Sequence, residues 1–312
     1  MRRRLNPGGF TVIETLIFLS VSAFVFITSI NQFTTQQRNV QFNNGVRDFQ
    51  SKIELTINEV SSSFVPDITG YSCTADNQNN RIIFTTTGTA ANNTNCVFLG
   101  KAIGVGHDSV CDRNNIDLCA RYSIVPIAGR RAFFTPAGSA VNRPPNNFLE
   151  AKPVGLATCL TNDDNPDSFP CGLDPLTPAS TARPDLAERT RMTNGVGVYK
   201  AFLRNSDGSV NRSVGAVAFM LGLNRTTNDN ANSVDLVWLP VDFLNNTESR
   251  LTASIDALGS QTNDAMYLNP AHGVAFCILG GHGQRSEITI GANKSQLDVQ
   301  VVPLDKIDSG CN

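Results

Sequence analysis

One carboxylate stands where its surroundings offer it no water. Glu14 is the only charge in the 21 residues from Phe10 to Ile30, a run that also contains no Gly and no Pro. An acid held deep and unpaired in a membrane helix costs on the order of 3 kcal/mol, so its position calls for a cation. The second reactive set is eight cysteines: Cys73, Cys96, Cys111, Cys119, Cys159, Cys171, Cys277 and Cys311. They are even in number and all follow the apolar run, which is the pattern of disulfides formed in an oxidising compartment. Sequence does not fix their connectivity; pairing of chain neighbours, 73–96, 111–119, 159–171 and 277–311, is the expectation. Thiolate binding of zinc is the competing chemistry, but no Cys-x-x-Cys occurs and no His sits at ligand spacing.

The remaining candidates are sparser. Asp112, Asn114 and Asp117 lie between Cys111 and Cys119 as an oxygen-rich loop. It is a calcium candidate that lacks the glycine and the distal glutamate of a strong calcium motif. Asp163, Asp164 and Asp167 read as a solvated acidic loop. Of the three histidines, His107, His272 and His282, none accompanies a Gly-x-Ser-x-Gly elbow or a His-Glu-x-x-His pair. Gly280-Gly281-His282-Gly283 precedes a strand-like segment rather than a helix, so it is predicted as a hairpin turn and not a phosphate cradle. No nucleophile or paired-carboxylate constellation can be assembled, so neither an enzymatic head nor a cofactor is expected, calcium being the one alternative.

The apolar run must be the element that positions Glu14. As a helix, its residues at about 1.5 Å each reach roughly 32 Å, enough to cross a bilayer core. Arg2, Arg3 and Arg4 precede it and are expected to stay cytoplasmic, sending the rest of the chain outward. A short basic leader, then Gly9-Phe10-Thr11-Val12-Ile13-Glu14 and a long apolar helix, resembles the class III signal of type IV pilins and pseudopilins. An ordinary signal peptide or anchor is the alternative; an acid inside the hydrophobic region, with polar Thr15 beside it, argues against that. The resemblance covers roughly the first 55 residues. It departs at Val12 and Thr15, where leucine is commoner, and in having no Pro or Gly within the span.

That resemblance implies cleavage between Gly9 and Phe10 by a prepilin peptidase, with methylation of the new amine at Phe10. It implies that Glu14 meets this amine, on its own or a neighbouring subunit, which gives the carboxylate its counter-charge. The implied partners are other pilin subunits through the N-terminal helix, the prepilin peptidase and an inner-membrane assembly platform. It also lends support to the 277–311 pairing, because pilins often tie the chain end back to the sheet.

Beyond the span the chain turns polar and then regains a pattern. Phe42, Val46, Phe49, Ile53, Ile57, Val60 and Phe64 recur at helical spacing as one stripe, with Arg47, Asp48, Lys52, Glu54 and Glu59 mostly off it. One helix from about Phe10 to Phe64, ended by Pro66, is predicted, with Gly45 a point of bending. From Asp67 on, short apolar runs between Gly, Asn, Asp and Pro suggest strands. These are Arg81–Thr87, Cys96–Gly100, Arg121–Ile127, Arg131–Thr135, Gly195–Arg204, Ser213–Leu223, Ser233–Leu239, Gly273–Leu279, Glu287–Gly291 and Leu297–Val302. A short helix is predicted around Glu248–Leu258. Nine of the fifteen prolines fall between Pro136 and Pro184, so 136–194 reads as a long irregular insertion and the first candidate for contact with a ligand outside the cell.

The predicted fold is therefore α+β. A long N-terminal helix, transmembrane in one half and amphipathic in the other, packs on an antiparallel β-sheet and carries an enlarged, β-rich, disulfide-containing head. The divisions are a leader at 1–9, a pilin helix at 10–66 with 10–30 in the membrane, and an extracytoplasmic head at 67–312. Charged residues are only 17%, and formal charge is −2; loss of the leader arginines would make it −5, which gives no bulk support for nucleic-acid binding. The expected function is structural: a minor pilin of a type IV pilus-like filament, held in the cytoplasmic membrane until assembly, with a role at the tip in initiation or adhesion. A large pseudopilin of a type II secretion or DNA-uptake machine is the nearest alternative, and a membrane-anchored binding or enzymatic ectodomain is the third.

Overall fold

The computed structural model describes residues 11–62, 72–76, 81–85, 96–106, 116–130, 133–134, 140–141, 152–155, 187–204, 210–221, 234–243, 250–251, 254–255, 273–292, 297–302 and 311. In chain order the elements are α1 (Val12–Ser61), β1 (Ser72–Asp76), β2 (Arg81–Thr85), β3 (Cys96–Val105), α2 (Ile116–Cys119) and β4 (Arg121–Arg130). There follow β5 (Phe133–Phe134), β6 (Ala140–Val141), β7 (Lys152–Gly155), β8 (Glu188–Arg191), β9 (Val196–Arg204) and β10 (Val210–Ser213). The last five are β11 (Ala216–Leu221), β12 (Val234–Trp238), β13 (Gly273–Gly280), β14 (Arg285–Ala292) and β15 (Leu297–Val302).

Two antiparallel sheets carry the head. One has five strands in the order β10-β9-β13-β14-β15; the other has six, β12-β11-β3-β4-β7, with β8 also paired to β4. Strands β7 and β8 share one edge of β4, β7 against its C-terminal part and β8 against residues 121–124. The pairs β1–β2 and β5–β6 stand as separate ribbons. The fold is thus α+β, as predicted.

The predicted stripe on α1 decides how the parts join. Phe42, Val46, Phe49, Ile53 and Val60 are buried in one core with Tyr122 and Ile124 of β4, Phe219 of β11, Phe276 of β13 and Ile288 and Ile290 of β14. Ile57 packs against the same core, partly buried. Phe49 meets both sheets, edge-on to Tyr122 at 5.2 Å and to Phe276 at 5.8 Å between ring centroids. Aromatic pairs of this geometry contribute about 0.5–1.5 kcal/mol each beyond burial.

The outer face of the six-stranded sheet is also dry. Leu99, Val125, Ile127, Met220 and Val237 pack under Leu239, Val241, Leu251 and Ile255. Residues 250–251 and 254–255 are helical, within the predicted Glu248–Leu258 segment. A strand covered on both sides needs no polar alternation, which is why every residue of β11 is apolar and buried. On the outer face of the five-stranded sheet, Phe202, Ala275 and Cys277 cluster with Cys311. Glu287 is fully buried there and paired with Arg204.

Several expectations need amending. The chain between 136 and 194 includes β6, β7 and β8, and two of these extend the six-stranded sheet. Their short, charged or proline-bearing sequences (Lys152-Pro153-Val154-Gly155, Glu188-Arg189-Thr190-Arg191) hide the strand signal because they lie at an edge, where one side needs no ladder partner. Strands β1 and β10 were likewise not predicted. Gly45 is not a bend: α1 runs unbroken through it, and the glycine is buried against the β8–β9 turn.

Candidate assembly helix and its seat

A helix of 50 residues extends about 75 Å, and its two halves live in different surroundings. From Val12 to Ile30, twelve large apolar side chains are exposed; Phe18 and Phe24 each keep more than two-thirds of their surface. Burying such side chains is worth about 1.5–3 kcal/mol apiece, so leaving all of them in water forfeits on the order of 20 kcal/mol. That exceeds the ~5–15 kcal/mol net stability of an ordinary domain. Lipid or other protein must cover this half. The segment is long and apolar enough to cross a membrane, consistent with single-pass anchoring.

Most of its hydroxyl groups bond back to the helix. Thr15 Oγ1 donates to the Val12 carbonyl at 2.8 Å, Ser20 Oγ to Ile17 at 2.9 Å and Ser29 Oγ to Val25 at 2.7 Å. Such back-bonding lets hydroxyls sit in an apolar medium without an orphaned donor.

Glu14 has a local role that its spacing from Thr11 encodes. Thr11 is the N-cap of α1: Glu14 N donates to Thr11 Oγ1 at 3.3 Å, and the Glu14 carboxylate accepts from Thr11 N at 2.9 Å and from Thr11 Oγ1 at 3.0 Å. This is a reciprocal capping box, and Thr-x-x-Glu at the head of an apolar run was its legible signal. Gly9 and Phe10 lie outside the described residues.

The second half of α1 is held by the buried stripe and by polar ties around it. Gln284 Nε2 donates to Asn39 Oδ1 at 3.4 Å, and Thr193 Oγ1 to Asp48 Oδ2 at 3.2 Å. Lys52 pairs with Glu188 of β8 at 2.5 Å. Gln50 Nε2 donates to the Val299 carbonyl at 3.3 Å, placing the helix along β15, an edge strand. At the far end Lys101 of β3, mostly buried, reaches Glu59 at 2.6 Å. An acid in the last helical turn opposes the helix dipole and no base lies in that turn, so the cation arrives from the sheet. Glycine permits the closest approaches: a Cβ at Gly280 would stand 2.6 Å from Phe42 Cδ2.

Tyr122 sits at this seat with its phenol shielded. Burial, foremost, and then the charge of Glu188 push its pKa up to about 12, against a hydrogen bond from Thr190 that lowers it.

Of the cysteines, Cys277 and Cys311 form a disulfide, as the resemblance implied. It anchors the Cys311 backbone on the outer face of β13, where the Cys311 carbonyl also accepts from Tyr199 Oη and, at 3.5 Å, from Arg285 Nη1. Cys119 is disulfide-bonded, and no described cysteine is free. Cys73 lies in β1 and Cys96 opens β3; Cys111, Cys159 and Cys171 are outside the described residues. So are Asp112 and Asn114, while Asp117 falls in α2, a single turn that was not predicted. His107 and His272 are also outside. His282 is exposed in the β13–β14 turn, which is the predicted hairpin.

No family model matches the chain, and none of the curated proteins or solved structures matches it either. What stands is the architecture: a long, apolar N-terminal helix laid on β-sheet, consistent with a pilin-like arrangement.

Proposed function

We propose that the chain is a structural subunit, a minor pilin, of a type IV pilus-like filament. The observation that carries the proposal is the division of α1. One half exposes twelve large apolar residues; the other is locked between two sheets, so pulling on the helix pulls on the head as one body. Such a subunit waits in the cytoplasmic membrane with its head outside. Prepilin peptidase removes residues 1–9 and leaves the amine of Phe10. An assembly platform then transfers the apolar half from lipid to a bundle of like helices, where Glu14 turns from its local cap to a Phe10 amine and sets the axial stagger. The head, with 136–194 as its first candidate for contact with a ligand, is displayed at the tip or surface.

Mass spectrometry of the mature chain tests the processing step: it should begin with N-methyl-phenylalanine at Phe10, and a chain still beginning at Met1 overturns the proposal. The pairing step has its own test, because glutamine also serves in a capping box. Glu14→Gln keeps the cap and removes the charge, so it should insert in the membrane normally yet fail to enter filaments. Filament entry at the wild-type level would mean that Glu14 is a cap alone. Loss of surface filaments in a deletion strain, as against loss of secretion or DNA uptake, separates the pilus from the pseudopilin alternative.

A further inference from the structure

We infer that Arg38, one residue before the Asn39 to which the β13–β14 turn is bonded, is a docking point for phospholipid head groups that seats the head on the bilayer. The inference rests on the reading of α1 as a membrane span.

Height is the first argument. Arg38 lies eight residues past Ile30, the end of the apolar run, and five past Phe33, the last aromatic before the seat. At about 1.5 Å per residue that is roughly 8–12 Å above the hydrocarbon edge. The head-group layer occupies about 5–8 Å on each face. Helical side chains lean toward the N-terminus, which here is toward the bilayer, so the guanidinium is directed down into the phosphate layer.

Charge is the second. Between Glu14 and Arg47, Arg38 is the only charged residue, although acids outnumber bases in the chain as a whole. It is exposed, and among the described residues it makes no ion pair. A guanidinium without an ion pair among the described residues is matched to phosphate oxygens, which it can bind through two parallel hydrogen bonds.

Rigidity is the third. The residue after Arg38, Asn39, is where the head first grips the helix, through Gln284 Nε2 at 3.4 Å. The same Gln284 accepts the His282 backbone N–H at 3.3 Å, so the exposed turn is tied to the helix at Asn39. Phe42 packs against Gly280 one turn above. Contact of Arg38 with phosphate would therefore orient the whole head and not only a loose neck.

The full chain in nanodiscs tests this, with zwitterionic phosphatidylcholine alone or mixed with anionic phosphatidylglycerol. Trp238 is the only tryptophan, so energy transfer from it to a dansyl-labelled lipid reports the height of the head. Transfer should rise when phosphatidylglycerol is present and fall back with added salt. A basic residue at an anionic surface is worth about a fivefold shift in population, so Arg38→Gln should reduce seated over lifted heads about fivefold. Arg38→Lys should keep most of the gain. Arg47→Gln, exposed and about 14 Å farther up the helix, should change nothing. Equal transfer in both lipid mixtures, or an undiminished gain in Arg38→Gln, overturns the inference while leaving the membrane span intact. A wild-type chain that does not enter the discs overturns both.

Discussion

Alanine at Gly45 should destabilise this protein, although at almost any other glycine within a helix the same change would help. Glycine to alanine inside a helix gains about 1 kcal/mol from backbone entropy. Here, however, a Cβ would stand 2.6 Å from Val196 Cγ2 and 2.9 Å from the Thr193 carbonyl oxygen. Val196 is fully buried and β-branched, so it has no free rotamer to retreat into. The Thr193 carbonyl is held in the β8–β9 turn by the Val196 N–H at 3.4 Å. Overpacking of this kind costs about 1–3 kcal/mol, leaving a net loss of up to ~2 kcal/mol. The neighbouring Asn44 is exposed, and Asn44→Ala should gain about 0.5 kcal/mol from propensity alone. Urea unfolding of the full chain in detergent, followed by helical circular dichroism, compares them. With a slope of about 2–3 kcal/mol per molar, Gly45→Ala should lower the midpoint by ~0.5–1 M while Asn44→Ala raises it slightly. If both raise the midpoint, the helix is not seated against the β8–β9 turn as described.

Phe49→Ala should cost about 3–5 kcal/mol, because one ring contacts Tyr122 and Phe276 of the two sheets at once. Leu55→Ala, on the exposed side of the same helix, should stay within about 0.5 kcal/mol in the same unfolding assay. Tyr122 gives an alkaline signature: its folded pKa of about 12 exceeds the unfolded value near 10. Between these the unfolded chain has lost the proton that the folded chain keeps, so stability is whole below pH ~10 and falls as pH rises toward 12. Stability measured against pH should show that decline, and Tyr122→Phe should lose it. Replacing both Cys277 and Cys311 with serine should cost about 3–4 kcal/mol from the loop closed over a separation of 34 residues, read as a lower thermal midpoint than the wild-type chain under non-reducing conditions.

The features legible from residue order are those whose physics is periodic or local. The span, the stripe from Phe42 to Val60 and the hairpin at Gly280–Gly283 each follow from a repeat or a turn chemistry complete within a few residues; the structure has the stripe and the hairpin, and a helix long and apolar enough for the span. The capping box of Thr11 and Glu14 is equally local, yet the sequence reading passed over its Thr-x-x-Glu signal and took Glu14 only as an acid in search of an amine. Strands β7 and β8 were hidden for the opposite reason: edge strands are stabilised by the neighbour they join and not by their own pattern.

What residue order determined, then, is that half of a long helix cannot stay in water and that the other half must lie against apolar strands. Which strands, and on both sides, was decided only in three dimensions. Residues as far apart as Phe49, Tyr122 and Phe276 share one core, Lys101 answers Glu59, and Gly45 is small because Thr193 needs the room. Each of these depends on a contact between segments whose separation along the chain is set by the fold, and no window of neighbouring residues contains both partners.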